Sequence, residues 1–291
     1  MASIEVIEYT DPGCPWAYSA SPALAVLQWR YREQLRWRIV TIGLTESPQR
    51  YIDAGYTPAR MSAGNLYFRR YGMPFAPAPR PRVAATARAC RAIVATRRLA
   101  PARERDVLRA LQFAWFTTPL QLDEDEGIGR ALSVLAGLDA EAVVAAIDDP
   151  ATLEAYEQDR SETRTAEGGA THYQGKARQT DGPVRYSAPS LVFKSDAGVR
   201  FEGGGFQPVE AYDVLVANLD RGLERHPPAG SPEEALAEFP SGLATAEVAA
   251  VMAPNNVPPD RDAAERALVE LLAEGAVRRT PVGDDALWQP A

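Results

Sequence analysis

Cysteine and histidine are scarce in this chain of 291 residues: Cys14 and Cys90 are the only thiols, and His172 and His226 the only imidazoles. Two cysteines cannot build a disulfide scaffold, and two histidines do not make an ordinary zinc site without further partners. A disulfide-stapled fold is therefore excluded and no bound metal is expected. Long hydrophobic runs are missing too. No stretch approaches the roughly 18 apolar residues of a spanning helix, and Met1-Ala-Ser-Ile-Glu5 leads into an apolar strand without the basic region, apolar core and cleavage site of a signal peptide. The expectation is a cytoplasmic chain with no membrane partner.

What is present is the composition of a folded globular protein. Hydrophobic residues make up 46%, and the length suffices for one large domain or two or three smaller ones. The formal net charge of −8 is spread unevenly. From Ser231 to Ala291 four arginines face eleven Asp and Glu, a balance of −7, whereas from Arg80 to Arg109 nine arginines face only Glu104 and Asp106.

The stretch Tyr9-Thr-Asp-Pro-Gly-Cys14-Pro-Trp-Ala-Tyr18 closes a short apolar strand (Ile4, Val6, Ile7, Tyr9) and opens a helix. Asp11-Pro12-Gly13 is a turn cluster, and Pro15 falls where the first helical N–H has no partner to lose. A cysteine at that junction faces unpaired N–H groups and the positive end of the helix dipole. Both favour thiolate, so an acidic, reactive Cys14 is expected, against the alternative of a small buried helix cap.

Farther along, Pro22 to Tyr31 has helical spacing and Leu35 to Leu44 alternates as a strand, giving a βαβ unit with a parallel pair. Between Glu46 and Thr180 strand signals vanish, and five or so helical segments follow one another. Within them, Tyr67 to Phe75 reads as an aromatic loop. Strand character returns at Ser187 to Phe193, Asp196-Ala-Gly198 turns the chain into Val199-Arg-Phe201, and Pro208 to Leu223 is an amphipathic helix. This is an α/β thioredoxin-like fold, residues 1–45 and 181–226, with an inserted helical domain, 46–180. After the linker at Pro227 to Pro232, three short helices and a hairpin make a small winged-helix-like module, 231–291.

With Cys14-Pro15-Trp16-Ala17 after a first strand, a helical insert, and Ala188-Pro189 heading a later strand, residues 1–226 resemble the DsbA-like thioredoxin family. Within it the chain is most similar to the FrnE-like and 2-hydroxychromene-2-carboxylate isomerase branch, to which kappa-class glutathione transferases are also similar. The resemblance implies a cis proline at Pro189, with the backbone before it facing the sulfur and pairing with a bound thiol substrate. It also implies an acidic residue six positions before the cysteine. Glu8 matches, and if buried beneath the sulfur it would exchange the thiol proton. Pro15, Trp16, Ala17, Tyr18, Ser187 and Ala188 are the matching substrate-binding positions.

One position departs from the family. A two-cysteine member reads Cys-Pro-Trp-Cys, and here the fourth residue is Ala17, so a mixed disulfide on Cys14 cannot be resolved within the motif. Monothiol oxidoreductase chemistry remains, with no bound cofactor and a glutathione-like or mycothiol-like co-substrate as the partner. Cys90 either resolves Cys14 from the insert or is a buried structural cysteine. Arg88, Arg91, Arg97 and Arg98 either wall an anion site or are solvated faces. Tyr67, Phe68, Tyr71 and Phe75 either line an apolar pocket or pack the core. Two other functions stay open: a thiol-dependent isomerase or transferase in which Cys14 only hydrogen-bonds a bound thiol, and a binding protein that has lost activity. The acidic C-terminal module is expected not to bind DNA, because its −7 balance repels phosphates, and instead to form a homodimer or cover the active site.

Overall fold

The computed structural model describes residues 4–76 and 78–291. The chain begins β1 (Ile4–Thr10), α1 (Pro15–Ser19), α2 (Ser21–Tyr31) and β2 (Leu35–Thr41). The helical segment follows as α3 (Gln49–Asp53), α4 (Pro58–Asn65), α5 (Ala87–Leu99), α6 (Glu104–Thr117), α7 (Asp125–Leu132), α8 (Ala140–Ala145), α9 (Pro150–Thr163) and α10 (Ala170–Tyr173). The sheet is then completed by β3 (Ser190–Lys194) and β4 (Arg200–Gly204), covered by α11 (Val209–Leu219). Strand order is β2-β1-β3-β4, with β1 parallel to β2 and the other neighbours antiparallel.

β1 is central, and helices cover both of its faces, which is why almost every residue of it is buried. Alternation along the strand sends Ile4 and Val6 toward Leu24, Leu27 and Tyr31 of α2, and Ile7 and Tyr9 toward the layer that holds Cys14 and Tyr186. α2 likewise buries most of its residues. Leu24 and Leu27 pack on the sheet, while Ala25, Val26 and Trp29 join the core of the C-terminal module.

The insert has its own core, in which Ile93, Leu111, Trp115, Phe116, Leu132 and Ile147 pack together with Tyr18 and Phe75. Two short helices, α3 and α4, lie where no helix was expected. Neither buries a residue fully, so no apolar period marks them; α4 is announced only by Thr57, whose hydroxyl caps the Arg60 N–H, and Pro58. The expected aromatic loop is in its first half a 3₁₀ turn, Leu66–Tyr71, stopped by Gly72 at φ 88°.

The C-terminal module runs α12 (Pro232–Glu238), β5 (Leu243–Ala244), α13 (Thr245–Met252), α14 (Arg261–Ala273), β6 (Val277–Val282) and β7 (Asp285–Pro290). Its three strands pair in the order β5-β7-β6. β5 has only two residues and leaves no alternation in the sequence. The module is tied to the rest by a buried ion pair: Arg109 of α6 grips Glu247 of α13 through two bonds of 2.6 and 2.9 Å, and Ser21 of α2 donates to the same carboxylate.

Candidate active site

Cys14 stands at the N-cap of α1, with Pro15 at the first helical position. Its carbonyl accepts the Tyr18 N–H at 3.0 Å, and its sulfur donates to the Ala188 carbonyl at 3.2 Å. Only 6% of the residue is exposed. That burial pushes the thiol up to about 12; the N–H groups of Ala17 and Trp16 pull the other way, Asp11 adds to the rise and Arg185 opposes it. The expected acidic thiol is thus reversed. α1 has only five residues, and its N–H groups do not offset the desolvation of a buried sulfur.

Asp11 holds this turn in place. Its carboxylate is fully buried and accepts from the Gly13 N–H at 2.9 Å, the Leu44 N–H at 2.8 Å, the Thr86 hydroxyl at 2.9 Å and the Cys90 thiol at 3.4 Å. One side chain therefore fastens the Cys14 turn to the end of the parallel pair and to the start of α5. Cys90 is wholly buried among Ala87, Val94 and Tyr156, in a different cluster from Cys14. Burial first, and then Asp11, raise its thiol well above the ordinary range.

Cys14 opens onto a pocket of about 530 Å³, flanked on the apolar side by Trp16, Leu44 and Phe206. Trp16 is 37% exposed and stands in an aromatic group, its ring 4.9 Å from Phe68 and 5.4 Å from Phe206. Lys176, Arg178 and Arg185 line the same pocket. Arg185 is 5% exposed; it donates to the Thr180 hydroxyl at 3.2 Å and the Tyr186 carbonyl at 2.9 Å. Burial, the largest influence, lowers its pKa.

Of the residues singled out in the sequence, Cys14, Trp16, Ser187 and Ala188 line this pocket together. Pro189 is buried behind them, and the Ala188–Pro189 bond is cis. Pro15 is half-buried and does not line the pocket. Tyr18 points into the core of the insert, donating to the Pro74 carbonyl at 2.8 Å. Glu8 is buried and ion-paired with Arg105 at 3.0 Å. It lines a separate cavity of about 140 Å³, which it shares with Ala17, Arg109 and Glu247 and which Cys14 does not reach.

The insert arginines are spoken for: Arg88 and Arg91 pair with Asp148, Arg97 with Glu104 and Asp159, and Arg98 bonds Thr152. Tyr67, Phe68 and Tyr71 belong to the group around Trp16, whereas Phe75 is core. No residue of the C-terminal module lines the Cys14 pocket, so the module does not cover it. Sequence reasoning missed Asp11, read only as a turn former, and the three cations. Their signal was the basic run Lys176-Ala-Arg178 and Arg185 just ahead of Ser187-Ala-Pro189.

Among the described residues no helix is long and apolar enough to cross a membrane. Among solved structures, the cytosolic disulfide reductase DsbM from Pseudomonas aeruginosa superposes with a TM-score of 0.53 at 19% identity, over 75% of this chain and 100% of that one. A probable DsbA oxidoreductase from Streptomyces coelicolor gives 0.51 at 20% identity, over 75% and 91%. At these identities the likeness is one of fold. No curated protein matches the sequence. The model of the DSBA-like thioredoxin domain matches residues 5–167, more than half of the chain, and the chain therefore belongs to the DSBA-like thioredoxin family.

Proposed function

We propose that this protein is a cytoplasmic monothiol enzyme of thiol–disulfide exchange, with Cys14 as its nucleophile and a low-molecular-weight thiol as its partner. The observation that carries this is the pairing of Cys14 with the Ala188 carbonyl at the mouth of a pocket of small-molecule size, with Ala17 in the place of a second thiol. The Cys14 thiol first gives its proton to a base in solution, and the thiolate so formed attacks one sulfur of a small disulfide; that S–S bond breaks, a mixed disulfide forms on Cys14, and the departing thiolate takes up a proton. A second small thiolate then attacks the substrate sulfur of the mixed disulfide and returns Cys14. Cys90, held by Asp11 in another cluster, has no part in this cycle. Glu8, gripped by Arg105 in the cavity behind Ala17, supports the packing of α1 and does not exchange the thiol proton.

A Cys14→Ser variant tests this directly when turnover of a small mixed disulfide is followed with a reduced thiol present. Loss of turnover is expected, and unchanged turnover contradicts the reading.

A second reading, within the FrnE-like and isomerase branch, is favoured by the thiol's own state. A Cys14 pushed up to about 12 stays protonated, and its single S–H, once turned from the Ala188 carbonyl, is suited to hydrogen-bonding a bound thiol that acts as nucleophile in isomerisation or transfer. In that case the Cys14→Ser variant keeps its activity, because a hydroxyl replaces the thiol as donor. No nucleic-acid role is proposed for the C-terminal module, where Arg261, at the start of α14, is paired with Asp285 at 3.1 Å.

A further inference from the structure

We propose that the pocket beside Cys14 selects an anionic, carboxylate-bearing small disulfide, with Arg185 receiving the carboxylate and Lys176 and Arg178 attracting it from the rim. This rests on the reading of Cys14 as the exchange nucleophile. The structural ground is a buried guanidinium without a carboxylate partner in the pocket of Cys14; half-buried Arg80 also lacks one among the described residues, bonding the Leu120 and Trp115 carbonyls, but it does not line that pocket, and the other shielded arginines are paired. Arg109 meets Glu247, Arg30 meets Asp213 and Arg97 meets Asp159. Arg185 is as buried as any of them, yet its bonds go to a hydroxyl and a backbone carbonyl, and no carboxylate lies within ion-pair distance among the described residues. Asp181, whose charge reaches Arg185, is itself held by Arg164 at 2.7 Å and Arg160 at 3.2 Å.

A buried guanidinium without a counterion is disfavoured, and five N–H donors in a planar fork suit a carboxylate closely. Two of those donors are used by protein groups, and the residue faces the pocket that contains the Cys14 sulfur. Lys176 and Arg178 are exposed and line the same pocket, and Arg178 bonds only backbone carbonyls. Three cations without carboxylate partners in one pocket, in a chain of net charge −8, form a local reversal of field. Charge on the far side of the sulfur comes from Asp11, which Gly13, Leu44, Thr86 and Cys90 already satisfy. The arriving anion is therefore drawn to these three cations. A neutral, sugar-type thiol offers nothing to a guanidinium in this position, so the proposal separates carboxylated thiols from neutral ones.

The reduced protein is mixed with dithiodipropionate, hydroxyethyl disulfide or cystamine, which are anionic, neutral and cationic, and mixed-disulfide formation on Cys14 is followed by mass. Dithiodipropionate is expected to react at least about tenfold faster than the neutral disulfide, with cystamine slowest, as one charge-assisted contact implies. Arg185→Gln is expected to remove most of this preference. Lys176→Gln, at an exposed position that folding tolerates, reduces it and weakens its dependence on salt. Equal rates for the three, or cystamine fastest, overturn the proposal. Calorimetry with thiodipropionate, an unreactive thioether, separates the two claims. If it binds while none of the disulfides reacts, the anion site stands and the nucleophile reading falls. If the disulfides react without regard to charge and thiodipropionate does not bind, the reverse holds.

Discussion

At the scale of single residues, Asp11 and Cys14 form one electrostatic unit. The Asp11 side chain, sealed from water, acts on the sulfur with little screening, and it adds to the rise that burial imposes on the Cys14 thiol. The rate of Cys14 alkylation is accordingly expected to rise through pH 7 and 8 with no plateau below about pH 9, above the ordinary cysteine value; a plateau near pH 7 would contradict the desolvated thiol. Asp11→Asn removes the charge while keeping one acceptor, so the alkylation profile is expected to shift to lower pH. Stability falls at the same time by about 1–3 kcal/mol, because buried donors lose a partner. A profile that does not move argues that Asp11 acts through shape alone. Both cysteines also link stability to pH. Their thiols are raised in the folded state, so the folded protein holds protons that the unfolded chain releases above its ordinary thiol value. The stabilisation is complete below about pH 8.5 and is lost as pH rises toward the folded values.

At the scale of elements, the Cys14 turn is fitted tightly between α1 and the insert. A Cβ on Gly13 would lie 2.5 Å from the Thr86 methyl and 3.0 Å from the Trp115 ring. Gly13→Ala is therefore expected to cost about 1–3 kcal/mol in chemical denaturation and to slow Cys14 chemistry by displacing the turn; a neutral effect on both contradicts this packing. Much of the fold was legible at this scale. The strand, proline-led helix and strand of residues 4–41 carry clear periodicity, and Ala188-Pro189 marks the returning strand. The exposed helices α3 and α4 and the two-residue β5 were not legible, because period and propensity need a buried face or a longer run to show. For the site, Cys14, Trp16 and Ser187-Ala188 could be read from motif order. The acidity of Cys14 could not, since helix position is local whereas desolvation depends on Ala188, Tyr186 and the layer packed over them. Glu8 shows the same limit: its offset from the cysteine was right for the family, but strand alternation turns it to the face that Arg105 occupies.

At the scale of the whole molecule, three parts meet at Glu247. It receives Arg109 from the insert, Ser21 from the thioredoxin domain and its own module's Ala244 N–H at 2.7 Å. Burial opposes the charged form, yet Arg109 and these donors hold the carboxyl below its ordinary range. The resulting stabilisation is present above the unfolded carboxylate value and is lost as pH falls through the folded one. Glu247→Ala leaves Arg109 buried without its partner and is expected to cost about 3–5 kcal/mol, with the module loosening first in hydrogen exchange; a loss under about 1 kcal/mol would contradict the anchoring role. Neither Glu247 nor Arg109 lines the Cys14 pocket, and the proposed chemistry rests on Cys14. The most direct test is the intact mass of the native protein after exposure to dithiodipropionate and then to a reduced thiol. A single adduct on Cys14, removed by the second thiol, with Cys90 free throughout, is the expected result. An unmodified Cys14 in the folded protein, or a disulfide between Cys14 and Cys90, would contradict it.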